Sequence, residues 1–253
     1  MKFDRIILIL VISLLLGSCA SSQGKMARKQ ENDSQHQYEL AVMSMRYNLI
    51  DEAIKYLNKA LSLDPNHQPS HYLLGMAHVE KENYKEAAAA FEKSLELKPD
   101  VSEAHVRLGV VYQKMGLPDK AEEEYKKAYI IDESSMASHS LALLYYEQDK
   151  LEQALEFVQK SIQKGNRSAD AYNLQGVILN KLSRYPEAID SFQNVLKIDP
   201  NHIVANINLA VACINDKDFK RAREILEKIL PFIQEQELRD KINEYLEKIK
   251  ELK

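Results

Sequence analysis

The sequence predicts an all-α fold, a solenoid of stacked helical hairpins, on three observations. Alanines recur at Ala53, Ala87, Ala121, Ala154, Ala188 and Ala222, spaced by 34, 34, 33, 34 and 34 residues, each with a large apolar residue four positions on. The segments ALSLDPNH at 60–67, SLELKPDV at 94–101 and VLKIDPNH at 195–202 echo one another as the end of a repeating unit. A fixed period near 34 over six copies is the signature of stacked helical hairpins. Composition agrees: the 253 residues contain no Trp and only seven Gly, with Ala, Leu, Glu and Lys abundant, types that favour helix.

The chain opens with Met1-Lys2-Phe3-Asp4-Arg5, followed by an apolar run from Ile6 to Leu16 broken only by Ser13. About 20 apolar residues are needed to cross a bilayer as a helix. A shorter run behind a basic start reads instead as a secretory signal segment, residues 1–18. The tetrad Leu16-Gly17-Ser18-Cys19 resembles the lipobox of bacterial lipoproteins. That resemblance implies cleavage between Ser18 and Cys19, a diacylglyceryl group on the Cys19 sulfur, and acylation of the new amine. The chemistry is consistent, since a thiolate is a strong nucleophile and several acyl chains anchor stably where one is marginal. An ordinary signal peptide with an unrelated cysteine is the alternative. Ala20 rather than Asp follows the cysteine, which by the sorting pattern of Gram-negative lipoproteins implies the periplasmic face of the outer membrane. With Cys213 as the only other cysteine, no disulfide framework is expected.

Residues 19–33 read as the lipidated cysteine and a polar tether, ASSQGKMARKQEND after Cys19. As a coil of about 14 residues it has an r.m.s. reach of roughly 20 Å. Loss of residues 1–18 removes Lys2, Arg5 and Asp4, taking the formal net charge from −4 to about −5. An acidic chain argues against nucleic acid as a partner, because phosphate neutralisation needs a basic surface.

Six units follow at 34–67, 68–101, 102–134, 135–168, 169–202 and 203–236, and they resemble the tetratricopeptide repeat (TPR). The third has Leu108-Gly109, Tyr112, Ala121, Tyr125 and Ala128 at signature positions; the second has Leu74-Gly75, Ala87, Phe91 and Pro99. The fifth supplies Tyr172, Gly176, Ala188, Phe192 and Pro200, with Gln175 in place of the usual Leu. The resemblance implies a right-handed superhelix in which small residues let the two helices of a hairpin approach and aromatic rings fill the gap to the next hairpin. Pro65, Pro99 and Pro200 end second helices by withholding an N–H, and Gly165 is placed to end one through a left-handed cap. The 33-residue spacing predicts a shortened loop around 133–135. No unit buries its apolar face alone, so the six are expected to form one cooperative stack. Residues 237–253 read as a capping helix, with Leu238, Ile242, Tyr245, Leu246 and Ile249 on one face and charge on the other.

Enzymatic motifs are absent: no Gly-rich phosphate loop, His-Glu-x-x-His, Cys-x-x-Cys or Gly-x-Ser-x-Gly occurs. The chain is therefore read as not an enzyme, with no metal and no cofactor beyond the lipid on Cys19. His71, His78 and His105 fall on first-helix packing positions, Cys213 reads as a buried small hydrophobe, and the run EEEYKK reads as i,i+4 pairs on a solvated face.

In proteins with this repeat, ligands lie in the concave groove lined by first helices. The resemblance carries that role onto Tyr38, Val42, Tyr72, Met76, Val106, Val110, His139, Leu143, Tyr146, Asn173, Val177, Ile207 and Val211. These are mainly apolar, and an exposed apolar strip marks a protein-binding site. They do not suit the clamp of Lys, Arg and Asn used by chaperone-docking relatives; an apolar or amphipathic segment fits better. Lipobox, tether and six repeats together resemble the type IV pilus biogenesis lipoproteins, pilotins that help a secretin ring assemble in the outer membrane. The resemblance implies a lipid-anchored scaffold with a secretin as partner. An accessory lipoprotein tethering a peptidoglycan enzyme or export complex is the alternative.

Overall fold

The computed structural model describes residues 33–251. The signal segment, Cys19 and the tether as far as Asn32 lie outside the described residues. Among the described residues the chain forms thirteen α-helices and one 3-10 turn, with no strand. They fall into two compact units that meet in sequence at Leu117 and Pro118. The division falls within the third repeat, between its two helices.

The first unit holds α1 (Ser34–Arg46), α2 (Ile50–Leu63), α3 (Gln68–Glu80), α4 (Tyr84–Leu97) and α5 (Ser102–Lys114). The second holds α6 (Pro118–Asp132), α7 (Ser135–Glu147), α8 (Leu151–Gln163), α9 (Ala169–Lys181), α10 (Tyr185–Ile198), α11 (Ile203–Asn215), α12 (Phe219–Ile229), a 3-10 turn (Leu230–Phe232) and α13 (Gln236–Glu251). Within each unit every helix packs on the next, and odd-numbered first helices also touch one another: α1 on α3, α7 on α9, α9 on α11. Those neighbouring first helices build the candidate groove.

The hairpins close because small residues face large ones at a fixed register. An added Cβ at Gly75 would lie 2.8 Å from the Phe91 ring, and one at Gly176 would lie 2.6 Å from Phe192. Where the facing side chain is smaller, alanine suffices, as with Ala41 packed in one cluster with Leu57 and Ala77. The six alanines of the repeat are fully buried, as expected for positions where two helix backbones approach.

One device ends all six first helices. The residue after the cap has positive φ at Asn48, Glu82, Gly116, Asp149, Ser183 and Lys217. In each case its N–H, and that of the next residue, return to carbonyls of the last turn: Asp149 to Tyr146 at 3.1 Å and Lys150 to Tyr145 at 2.9 Å, for example. This is the Schellman pairing, and only one of the six positions carries glycine. Gly165 (φ 109) ends α8 the same way, its N–H reaching Ile162 and that of Asn166 reaching Ser161. At the other ends, Ser134, Ser168 and Asp218 accept a hydrogen bond from the first turns of α7, α9 and α12. Pro65, Pro99 and Pro200 each lie two residues beyond the last residue of α2, α4 and α10. Between α6 and α7 only Glu133 and Ser134 intervene, the shortened link that the 33-residue spacing predicts.

Polar side chains tie successive repeats together. The Tyr145 hydroxyl donates to Glu122 at 3.0 Å, and that of Tyr112 donates to Glu92 at 2.5 Å. The EEEYKK run is thus only partly a solvated face. Glu122 turns inward to Tyr145 while pairing with Lys126 at 2.7 Å, and Glu124 is buried. His71 and His105 each place Nε2 2.9 Å from the carbonyl of the proline ending the preceding repeat, Pro65 and Pro99. Cys213 is fully buried, and burial pushes its thiol up to about 11. On α13, Ile242 and Ile249 are buried and Leu238, Tyr245 and Leu246 half-buried; the helix begins one residue before the expected cap.

Candidate functional site

The strongest candidate is a cleft of about 530 Å³ in the second unit, formed by three first helices. His139, Leu143 and Tyr146 come from α7; Asp170, Asn173, Leu174 and Val177 from α9; Val204 and Asn208 from α11. Residues three and four apart share one helix face, so α7 and α9 each contribute an i, i+4, i+7 stripe and α11 an i, i+4 pair. The 34-residue period then sets the stripes side by side. Five residues expected for the groove, His139, Leu143, Tyr146, Asn173 and Val177, come together here. Ile207 and Val211 are half-buried on α11 outside the lining. Val204 and Asn208 take their place, and a hydrogen bond from Asn208 Nδ2 to Asn173 Oδ1 at 3.2 Å holds the two asparagines on the cleft side.

The cleft has an apolar floor and a polar rim. Leu143, Leu174, Val177 and Val204 provide the floor; Leu143 and Val204 are substantially exposed to solvent. Around them stand Asn173, Asn208, Asp170 and His139. The His139 Nδ1 atom is buried without a hydrogen-bond partner among the described residues. Burial lowers the His139 pKa below its ordinary 6.5 despite the Asp170 charge, so at neutral pH the ring is an uncharged donor and acceptor. Tyr146 carries the Lys181 ammonium 4.7 Å from its ring centroid, and Lys181 also reaches Asp149 at 3.2 Å. Apolar surface beside a few directed polar groups is the make-up of a binding cleft.

In the first unit the expected groove residues are placed differently. Val106 is only 3% exposed, which corrects the expectation that it offers surface. The reason is that α5 is buried around most of its circumference, from Ser102 to Tyr112. Tyr38 packs against the Ala41–Leu57–Ala77 cluster and edge-on to the His67 ring at 5.4 Å, so half of it belongs to the core. Tyr72 stands edge-on to Phe91 at 5.6 Å, and burial together with Glu103 pushes its hydroxyl up to about 12. Val42 and Met76 are half-buried and Val110 is exposed. Arg107, which bonds Glu103 at 3.3 Å, adds a charged pair beside Tyr72 that sequence reasoning passed over.

Asp170, Leu174, Val204 and Asn208 were also passed over. One signal for Asn208 is present in the sequence: Asn173 and Asn180 recur as Asn208 and Asn215, both 35 residues on. The second pair is bonded as the first is, Asn215 Nδ2 to Asn180 Oδ1 at 3.1 Å. Seven residues are about two helical turns, so these pairs form a ladder along the facing sides of α9 and α11.

Three family models match successive parts of the chain. The middle TPR-like domain of cilia and flagella-associated protein 70 matches residues 22–131, anaphase-promoting complex (cyclosome) subunit 3 matches 114–195, and the tetratricopeptide repeat matches 179–241. A TPR repeat-containing protein of Methanocaldococcus jannaschii is 24% identical over 245 residues, 79% of this chain and 43% of that protein. Anaphase-promoting complex subunit 3 of Schizosaccharomyces pombe is 25% identical over 174 residues, 68% of this chain and 25% of its own. The chain therefore spans less than half the length of either relative. Among solved structures, Pseudomonas aeruginosa PilF superposes with a TM-score of 0.72 at 15% identity, covering 85% of this chain and 98% of PilF. PilW, a widely conserved type IV pilus biogenesis factor, gives 0.70 at 15% identity, covering 82% and 97%. YrrB, a TPR protein with an unusual peptide-binding site, gives 0.60 at 24% identity, covering 74% and 97%. At these identities the likeness speaks for the fold.

Proposed function

We propose that this tetratricopeptide-repeat protein is a non-catalytic scaffold that captures a segment of a partner protein in the cleft of α7, α9 and α11. In this reading, lipid on Cys19 holds it at the periplasmic face of the outer membrane, and no other cofactor takes part. The observation that carries the reading is the cleft itself. An extended or helical segment laid across three parallel stripes buries apolar side chains on Leu143, Val177 and Val204. Its backbone or polar side chains meet the amides of Asn173 and Asn208. Such a surface suits an apolar or amphipathic segment.

The partner we propose is a secretin, with type IV pilus assembly as the setting. Support comes from the lipobox-like tetrad at 16–19 and from the fold shared with PilF and PilW. Confinement to a membrane raises the effective concentration of scaffold and target, so a weak cleft becomes an effective one. The test is crosslinked capture of the acylated protein from detergent-solubilised envelopes, beside a Leu143→Glu variant. Secretin enriched with the parent protein and lost with the variant is the expected result. Intact secretin multimers in cells lacking the protein, with a different envelope complex captured through the same cleft, would retain the scaffold and overturn the pilus role.

A further inference from the structure

The first helix of each repeat packs one face toward the repeat before it, and α1 has no preceding helix among the described residues. Its face shows the consequence. Met43 corresponds in repeat register to Ala77, Val111, Leu144, Ile178 and Ala212, all at most 1% exposed, yet Met43 is 45% exposed. One turn on, Tyr47 is 55% exposed, and His36 and Leu40 continue the stripe half-buried. Positions 36, 40, 43 and 47 lie on one helical face. Terminal repeats of such stacks need a polar outer face to stay soluble; at the other terminus α13 supplies one. The α1 face is amphipathic instead, with Met43 and Tyr47 flanked by Glu39 and Arg46.

We infer that this face of α1 lies on the lipid surface to which Cys19 anchors the chain; the inference rests on the lipid reading of Cys19. Fourteen residue steps separate Cys19 from Asp33. Even fully extended they reach at most about 50 Å, and as a coil roughly 20 Å. The helix that follows is thus kept near the bilayer and, at about 20 Å long, can lie along it. Tyrosine is a residue of the membrane interface, where its ring is buried and its hydroxyl wet. Other occupants fit less well. Between Ala20 and Asn32 the only large apolar residue is Met26, too little for an apolar stripe to cover α1. Four side chains fall far short of the roughly 800 Å² per partner that a stable dimer buries. Because Glu39 and Arg46 cancel, the attraction is apolar and interfacial and does not depend on salt.

The chain contains no Trp, so Tyr47→Trp gives a protein with one reporter. It is compared with Phe232→Trp, at a residue 74% exposed in the second unit. Both acylated full-length proteins are reconstituted into phosphatidylethanolamine–phosphatidylglycerol vesicles with and without brominated acyl chains. The expected result is flotation of both, with a blue-shifted emission and several-fold stronger quenching for Tyr47→Trp, unchanged in high salt. Adding Met43→Asp brings the quenching down to the Phe232→Trp level while flotation persists. Flotation with equal quenching at the two sites overturns the docking and leaves the anchor standing. A blue shift of Tyr47→Trp without vesicles that grows with protein concentration assigns the face to a second copy and also overturns it. Failure of both proteins to float overturns the anchor and the docking together.

Discussion

Replacing Gly176 with alanine sets two effects of opposite sign against each other. Gly176 lies in the interior of α9, where alanine is better than glycine by about 1 kcal/mol on helix propensity. The added methyl carbon, however, would stand 2.6 Å from Cε1 of Phe192 and 2.8 Å from Cδ1 and Cζ. Carbon atoms in contact prefer 3.5–4.0 Å, so the ring or the backbone has to move by about an ångström. Phe192 is 1% exposed and packed on all sides, and forcing extra volume into a full core costs typically ~1–3 kcal/mol. The two terms leave Gly176→Ala destabilised by up to about 2 kcal/mol. Urea unfolding followed by far-UV circular dichroism reads this as a lower midpoint. Phe192→Leu shortens the facing side chain, so the double variant loses less than the sum of the single losses, with a coupling of at least about 0.5 kcal/mol. A raised midpoint for Gly176→Ala, or strict additivity in the cycle, would refute the reasoning that glycine is present here to admit the ring.

Further outcomes follow from the same geometry. Gly116 has φ +72 with nothing within 4 Å of an added Cβ, so Gly116→Ala costs about 1 kcal/mol through the backbone alone, and Lys217→Gly, at φ 65, stabilises by about 0.5–1 kcal/mol; thermal melts of the two variants check both signs. Burial opposes ionisation of Glu122, but hydrogen bonds from Lys126 and Tyr145 outweigh it and hold its carboxyl below the ordinary 4.5. The stability tied to that charge is present above pH 4.5 and lost as pH falls below it, so Tyr145→Phe lowers stability at pH 7 and narrows the difference between pH 7 and pH 3. His139 is held below its ordinary 6.5 by burial; the unfolded chain takes up the proton first, so stability drops as pH falls below 6.5, and His139→Asn flattens that part of the profile. Leu143→Glu puts a charge on the cleft floor at a residue 38% exposed, so partner binding is expected to fall at least tenfold while the melting curve barely moves.

The sequence by itself determined the hairpins, because their signals are local and repeated. The 34-residue recurrence of Ala53 through Ala222 marked every close approach of two helices, Pro65, Pro99 and Pro200 marked three helix ends, and the missing residue before Ser135 marked the short link between α6 and α7. Resemblance to the repeat also named five residues that line the cleft, because the repeat's first-helix positions map onto this sequence one by one. The tertiary structure decided how much of each side chain stays outside. Val106 and Val110 lie one turn apart on the same stripe of α5, yet one is core and the other surface, because burial depends on what neighbouring helices bring to that point. In the same way, Asn208 rather than Ile207 faces the cleft, where it bonds Asn173. And Met43 carries the pattern of a buried position but stands exposed, because periodicity records which face a repeat turns toward its neighbour, and among the described residues no helix precedes α1 to cover it.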